Sequence, residues 1–192
     1  KPYAEIKKGC INVLFAGRFE QQKGIVHLVR LLHSMAGDRR YHFHIMGNGS
    51  LRPDVERAVA QCDNATLTPP MFGLASVLAS FDCLFMPSEF EGLSIMSIEA
   101  SMAGLPVVAN DCPGLGDTLP PSWPLKVRGN DDEAFLRLFS EVIPHTDLRS
   151  LGAEAKAYAM SRFGIRHMQT EYEKIYLDWR RFTARAMIPK LP

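Results

Sequence analysis

Short apolar runs of four to six residues alternate along this chain with longer segments whose apolar residues recur at helical spacing. Few architectures accept that order. Ile11-Asn12-Val13-Leu14-Phe15-Ala16 reads as a buried strand, and the segment Gly24 to Met35 carries apolar residues at 25, 28, 29, 32 and 35, a helical stripe. The same reading predicts a strand from Tyr41 to Met46, then a helix from Leu51 to Cys62 capped by Ser50. A weak strand from Ala65 to Thr68 and a short helix from Leu74 to Ser80 come next. Strands at 83–86 and 106–109 flank a helix from Ser94 to Ala103, and residues 125–127 form an edge strand. Helices over about 131–142, 147–161 and 165–185 close the chain, with boundaries good to about 2–4 residues. Strands that alternate with helices call for a parallel sheet covered on both faces. The expected fold is therefore α/β, a doubly wound, Rossmann-like sheet forming a single domain over residues 1–192.

Composition removes several classes of function. Twenty-two basic residues against twenty-one acidic ones leave a net charge of +1, no footprint for nucleic acid or an anionic membrane. No apolar run reaches the ~18 residues of a membrane span. The four cysteines, Cys10, Cys62, Cys83 and Cys112, form no C-x-x-C pair, so free thiols in a reducing compartment are expected. The six histidines make no metal cluster; His42 and His44 lie two apart on one strand face with no third ligand apparent, which favours packed side chains. There is no G-x-G-x-x-G after a strand, no P-loop and no G-x-S-x-G elbow. In the last helix Ile165, Met168, Tyr172, Ile175, Tyr176, Trp179 and Phe182 share one stripe, read as core packing. Arg180, Arg181 and Arg185 near its end complement the helix dipole.

Ligands of open parallel sheets bind beyond the carboxyl ends of the strands. Four loops fall there: Gly17 to Gly24, Gly47-Asn48-Gly49-Ser50, Pro87 to Gly92, and Asp111-Cys112-Pro113-Gly114. From Ala58 to Leu125 there is no Lys, Arg or His, but seven acids: Asp63, Asp82, Glu89, Glu91, Glu99, Asp111 and Asp117. An anion over that half of the rim depends on backbone N–H groups and helix N-termini. Arg18 and Lys23 supply the side-chain cations, as a planar fork and a mobile point charge; taken alone, each is more readily a solvated loop cation. Glu99 stands one turn beyond Ile95 on a stripe with Ile98, Met102 and Ala103. A carboxylate on a core-facing stripe needs partners, and a ribose diol matches its two oxygens; the other reading lets it reach water. Glu91 precedes the helix, where the N–H groups of Gly92, Leu93 and Ser94 are free to cradle a phosphate; on spacing alone it is equally a loop acid near a favourable dipole.

Taken together, these pieces resemble the donor-nucleotide-binding half of the retaining group 1 glycosyltransferases of the two-Rossmann-domain GT-B architecture. The resemblance runs from about Ile11 to Tyr176. Its elements are the G-R-x-x-x-x-K-G stretch from Gly17 to Gly24 and the strand leading into Gly47-Asn48-Gly49. Pro87-Ser88-Glu89-Phe90-Glu91-Gly92 with Glu99-Ala100 follows, then Gly104-Leu105-Pro106-Val107-Val108-Ala109. It implies that Arg18 and Lys23 hold a nucleotide diphosphate, that Glu91 meets the donor sugar's hydroxyls and Glu99 the ribose. It also implies that the backbone after Glu91 meets sugar and diphosphate. Catalytic roles thus fall to Glu91, Arg18 and Lys23, and substrate contacts to Gly17, Arg18, Lys23, Glu91, Gly92, Leu93, Ser94 and Glu99. Two elements depart from the family pattern: Asp111-Cys112-Pro113-Gly114 replaces its Gly-Gly, and Pro69-Pro70 replaces a glycine ahead of Met71-Phe72, the expected nucleobase contacts.

The implied function is donor binding for a hexosyl transfer, retaining and metal-independent, from a nucleotide-diphosphate sugar to an acceptor hydroxyl in glycan or glycolipid synthesis. No metal and no cofactor is expected. The acceptor, a glycan, a glycolipid or a small molecule, is expected to belong to an amino-terminal domain that this chain, opening on Lys1-Pro2 rather than Met, lacks; the final helix is expected to pack back toward it, which would leave some of its apolar stripe exposed here. The fragment alone then binds donor without transferring. The implied location is cytoplasmic, either free or peripheral at the cytoplasmic face of a membrane. The alternatives are a non-catalytic nucleotide-sugar or interaction module of the same fold, or another nucleotide-sugar enzyme such as an epimerase or a sugar phosphorylase.

Overall fold

The computed structural model describes residues 2–186, with side chains through residue 179. Six strands form one parallel sheet: β1 (Ile11–Arg18), β2 (Tyr41–Asn48), β3 (Ala65–Thr68), β4 (Cys83–Met86), β5 (Val107–Asn110) and β6 (Lys126–Val127), in the order β3-β2-β1-β4-β5-β6. The expected doubly wound α/β sheet is what forms. In β1, β2 and β4, Val13, Leu14, Phe43, Ile45, Leu84 and Phe85 are all but fully buried, as a sheet covered on both faces requires.

The helices are α1 (Ile25–Ser34), α2 (Arg52–Ala60), α3 (Ile95–Ala103), α4 (Asp132–Arg137), α5 (Leu148–Phe163) and α6 (Ile165–Ala186). On one side α1 packs against α2 and α4; on the other α3 packs against α5, which meets α6. Asp132 fastens α4 to α1, accepting from His27 Nδ1 (2.6 Å) and Arg30 Nη1 (2.5 Å). Below them the Tyr41 hydroxyl donates to the Phe139 carbonyl, and Trp123 Nε1 donates to Val107 O at 2.7 Å.

Two local expectations fail. Ser50 is not the cap of α2; that position is Leu51, and the Ser50 hydroxyl donates instead to Glu20 Oε2. The segment 74–80 is two successive 3-10 turns, Leu74–Ser76 and Leu78–Ser80, rather than one helix. A larger correction concerns the α6 stripe. Ile165, Met168, Tyr172, Ile175, Tyr176 and Trp179 are all exposed, so they do not pack into the core. Met168, Tyr172 and Ile175 of that face line an open groove of about 590 Å³ together with Leu93, Ile95 and Ile98; Phe182 and the three arginines fall outside the described side chains. Among the described residues no helix is long and apolar enough to cross a membrane.

Candidate functional site

The strand order reverses between β1 and β4, which pair with each other through Val13↔Cys83 and Leu14↔Leu84. Beyond their carboxyl ends lies a groove in two compartments of about 260 and 270 Å³ that share Ala16, Gly17, Arg18 and Met96. One compartment adds Lys23 and Ser88 over β4. The other reaches outward over Asn48 at the end of β2 and Pro70 and Met71 after β3. The in-register pairing of β1 and β2 sets this mouth, with Gly17 opposite Gly47 and Arg18 opposite Asn48.

Lys23, in the wall of the inner compartment, meets Glu91 Oε1 through its Nζ at 2.6 Å, across 68 residues of sequence. The Ser88 hydroxyl donates to the same oxygen at 2.8 Å. The Glu91 side chain is only 9% exposed, a depth at which a carboxylate must be paired. Backbone and side-chain bonds hold the two carrier loops together: Glu89 N–H donates to Gln22 O at 2.9 Å and Gln22 Nε2 to Phe90 O at 3.1 Å. Gly24 sits at φ 69°, and a Cβ there would stand 1.8 Å from Pro87 O, so only glycine lets these loops close on each other.

The loop after β5 supports Glu91 from behind. Glu91 N–H donates to Pro113 O at 3.2 Å and Ser94 N–H to Gly114 O at 2.7 Å. This corrects one expectation: the Ser94 N–H is already taken, leaving those of Gly92 and Leu93 without a protein acceptor among the described residues. Ser94 instead caps α3, its hydroxyl accepting from Ser97 N–H. Burial, with the Glu91 charge second, pushes the Cys112 thiol up from its ordinary range, so it stays neutral and donates to Ser88 O at 3.3 Å.

Of the expected site residues, Gly17, Arg18, Lys23 and Glu91 gather here, with Gly92, Leu93 and Ser94 following on the same loop. Arg18 is exposed at the rim, its Nη2 3.5 Å from Gln22 Oε1. Glu99 departs from its expected surroundings. It does not lie on a core-facing stripe: Ser97, Ile98, Ala100 and Ser101 are the buried positions of α3, while Ile95 is 58% exposed and Glu99 is exposed too. Glu99 stands three residues beyond Met96, which lines both compartments, and its carboxylate makes no bond among the described residues. Met71 lines the outer compartment, but Phe72 is fully exposed. Ser88 and Met96, which spacing alone did not single out, are part of the groove; the position of Ser88 between a strand end and a glutamate was the available signal. Among the described residues no group of three or more His, Cys, Asp or Glu side chains is placed to hold a metal.

A family model described as "Glycosyl transferases group 1" matches residues 10–143. The chain is 36% identical to a 2-deoxystreptamine glucosyltransferase of Streptomyces kanamyceticus over 111 residues, 55% of this chain and 29% of that protein. Among solved structures, a sucrose-phosphate synthase from Thermosynechococcus elongatus superposes with a TM-score of 0.78 at 23% identity, covering 94% of this chain and 47% of that one. A pneumococcal O-GlcNAc transferase, solved in complex with UDP and GlcNAc, superposes with a TM-score of 0.71 at 16% identity over 86% of this chain and 35% of its own. The chain spans less than half the length of the relatives it matches.

Proposed function

Because the chain belongs to the group 1 glycosyl transferases, we propose that it is the donor-binding half of a metal-independent, retaining glycosyltransferase. The substrate held here is a nucleotide-diphosphate sugar, and the acceptor is carried by a further domain. The observation that carries this reading is the Lys23–Glu91 pair at the topological switch point, with Arg18 on the adjoining strand end. A cation and a carboxylate 2.6 Å apart offer adjacent handholds for a diphosphate and for the hydroxyls of the sugar attached to it.

In transfer, negative charge develops on the departing diphosphate. Arg18, Lys23 and the N–H groups of Gly92 and Leu93 ahead of α3 are fixed donors for that charge, the part a divalent cation plays elsewhere. Lys23 keeps protons to spare after pairing with Glu91, since an ammonium has three. The pyrophosphate then lies over β1, the sugar toward Glu91, and the nucleoside toward the outer compartment at Met71. Glu99 projects to solvent beside Met96, where a ribose is its natural partner. The complex of the pneumococcal neighbour with UDP supports this class of ligand.

Calorimetric titration with UDP, ADP and GDP and their sugar conjugates tests the reading. At least one is expected to bind the wild-type chain, and Lys23→Ala to weaken it by about tenfold or more, as loss of a charged hydrogen bond predicts. Absence of binding by every member of the panel, with the domain folded, would overturn it.

A further inference from the structure

Asn110 ends β5, and its carboxamide, 4% exposed, is engaged at both ends. Nδ2 donates to Ser88 O at 2.9 Å, and Oδ1 accepts from Asn130 N–H at 3.0 Å. Neither bond belongs to the sheet ladder. Together they clip the loop after β4 to the turn after β6, where Asn130 stands at φ 51°, a left-handed conformation that asparagine adopts more readily than most non-glycine residues. Ser88, 2% exposed, is the next link: its carbonyl takes Asn110 and the Cys112 thiol, and its hydroxyl takes Glu91 Oε1. A rotation of the Ser88 peptide that broke the Asn110 bond would carry that hydroxyl away from Glu91, and the buried carbonyl would lose its strongest donor.

We infer that Asn110 is a positioning residue for Glu91, acting through Ser88 to hold the carboxylate where the sugar of the donor must sit. The inference rests on the donor-site reading above. It goes beyond it in assigning sugar recognition to a side chain that touches no ligand. Positioning of this kind matters because a site tolerates only about 0.5 Å of drift in its contacting groups. The nucleotide portion is held by β1, Lys23 and the outer compartment, none of which contacts Asn110. Loss of the clip therefore falls chiefly on the sugar and reaches the diphosphate only through the Lys23–Glu91 bond.

The test compares free nucleoside diphosphates with their glucose and N-acetylglucosamine conjugates on this 192-residue chain by calorimetry. The variants are Asn110→Ala, Asn110→Ser, Ser88→Ala and the Asn110→Ala/Ser88→Ala double. In each single variant the ratio of conjugate to free-nucleotide affinity is expected to fall by about tenfold, any loss for the free nucleotide being the smaller of the two. The double variant is expected to fall no further than the singles, because both act along one path. An unchanged ratio, equal loss for both ligands, or losses that multiply in the double overturns the inference. If Asn110→Ala does not fold, Asn110→Ser, which keeps a polar group at the site, is read instead; if neither folds, the role of Asn110 is structural and the inference falls. A wild-type chain that binds no nucleotide overturns the donor-site reading itself, a distinguishable result.

Discussion

His44 lies in the middle of β2 with 1% exposure, and its environment fixes which proton it carries. Asn12 Nδ2 is committed to Lys7 O (2.9 Å) and Cys10 O (3.1 Å), so Asn12 Oδ1 is an acceptor and His44 Nε2, 2.9 Å away, holds the hydrogen. Nδ1 is buried with no partner among the described residues. Tyr3 and Phe81 meet the ring edge-on at 5.7 and 5.3 Å, and His42 is 4.7 Å away. A second proton would put a charged N–H where nothing accepts it. Burial, then the neighbouring His42 and Lys7 charges, accordingly holds the pKa down at about 4.

The folded value lies below the ordinary 6.5, so the unfolded chain protonates first and stability drains away as pH falls between those limits. Linkage gives a loss of about 2 kcal/mol by pH 5 and about 3 kcal/mol by pH 4 relative to pH 7. For a chain of this size that is a fall in Tm of about 6–12 °C. Carboxylates held low in the fold, such as Asp38 beside Arg40, add to acid lability, so the informative quantity is a difference between proteins. His44→Phe removes the titrating ring while Asn12 Oδ1 keeps its bond from Lys7 N–H. Scanning calorimetry of both proteins from pH 7 to pH 4 should show the wild type losing the larger share. Parallel curves would refute the assignment of the buried proton.

Two further predictions address the loops and the last helix. Gly114 stands at φ 74°, and a Cβ there would come within 2.2 Å of Glu91 O. Gly114→Ala should therefore cost about 2–4 kcal/mol in urea denaturation, and a loss under about 1 kcal/mol would mean that the loop behind Glu91 yields freely. Ile175 on α6 is 63% exposed, so Ile175→Ser should change stability by no more than about 0.5 kcal/mol, whereas Leu28→Ala in the core should cost about 2–5 kcal/mol. A large loss from Ile175→Ser would restore the core-packing reading of α6.

Apolar runs located the sheet well because strands buried on both faces advertise themselves. Cys83–Met86 and even the half-buried edge Ala65–Thr68 fall where the residues say. The ends of β1 and β2 are longer than the apolar runs because Gly17-Arg18 and Gly47-Asn48 stay in the ladder through backbone bonds that side-chain patterning does not report. In α3 hydrophobicity pointed the wrong way. The helix buries Ser97, Ile98, Ala100 and Ser101, three of them small enough for close approach to α5, while Ile95 and Glu99 face outward. The α6 stripe was legible as a stripe, but periodicity cannot say whether anything covers it. The cations and Glu91 were placed by their motif; that Lys23 and Glu91 would pair directly, and that Asn110 would reach both Ser88 and Asn130, depends on loops that meet only in three dimensions.

The closeness of Lys23 and Glu91 also shapes how the groove looks from a distance. Paired at 2.6 Å, they cancel each other's field beyond a few ångströms, and Glu20, near enough to Arg18 for each to feel the other's charge, blunts that guanidinium as well. An approaching anion thus meets little long-range attraction and must come nearly into contact before the donors distinguish it from chloride. Ionic strength, which governs steered encounters, should be a weak lever on the speed of capture here, and shape a strong one.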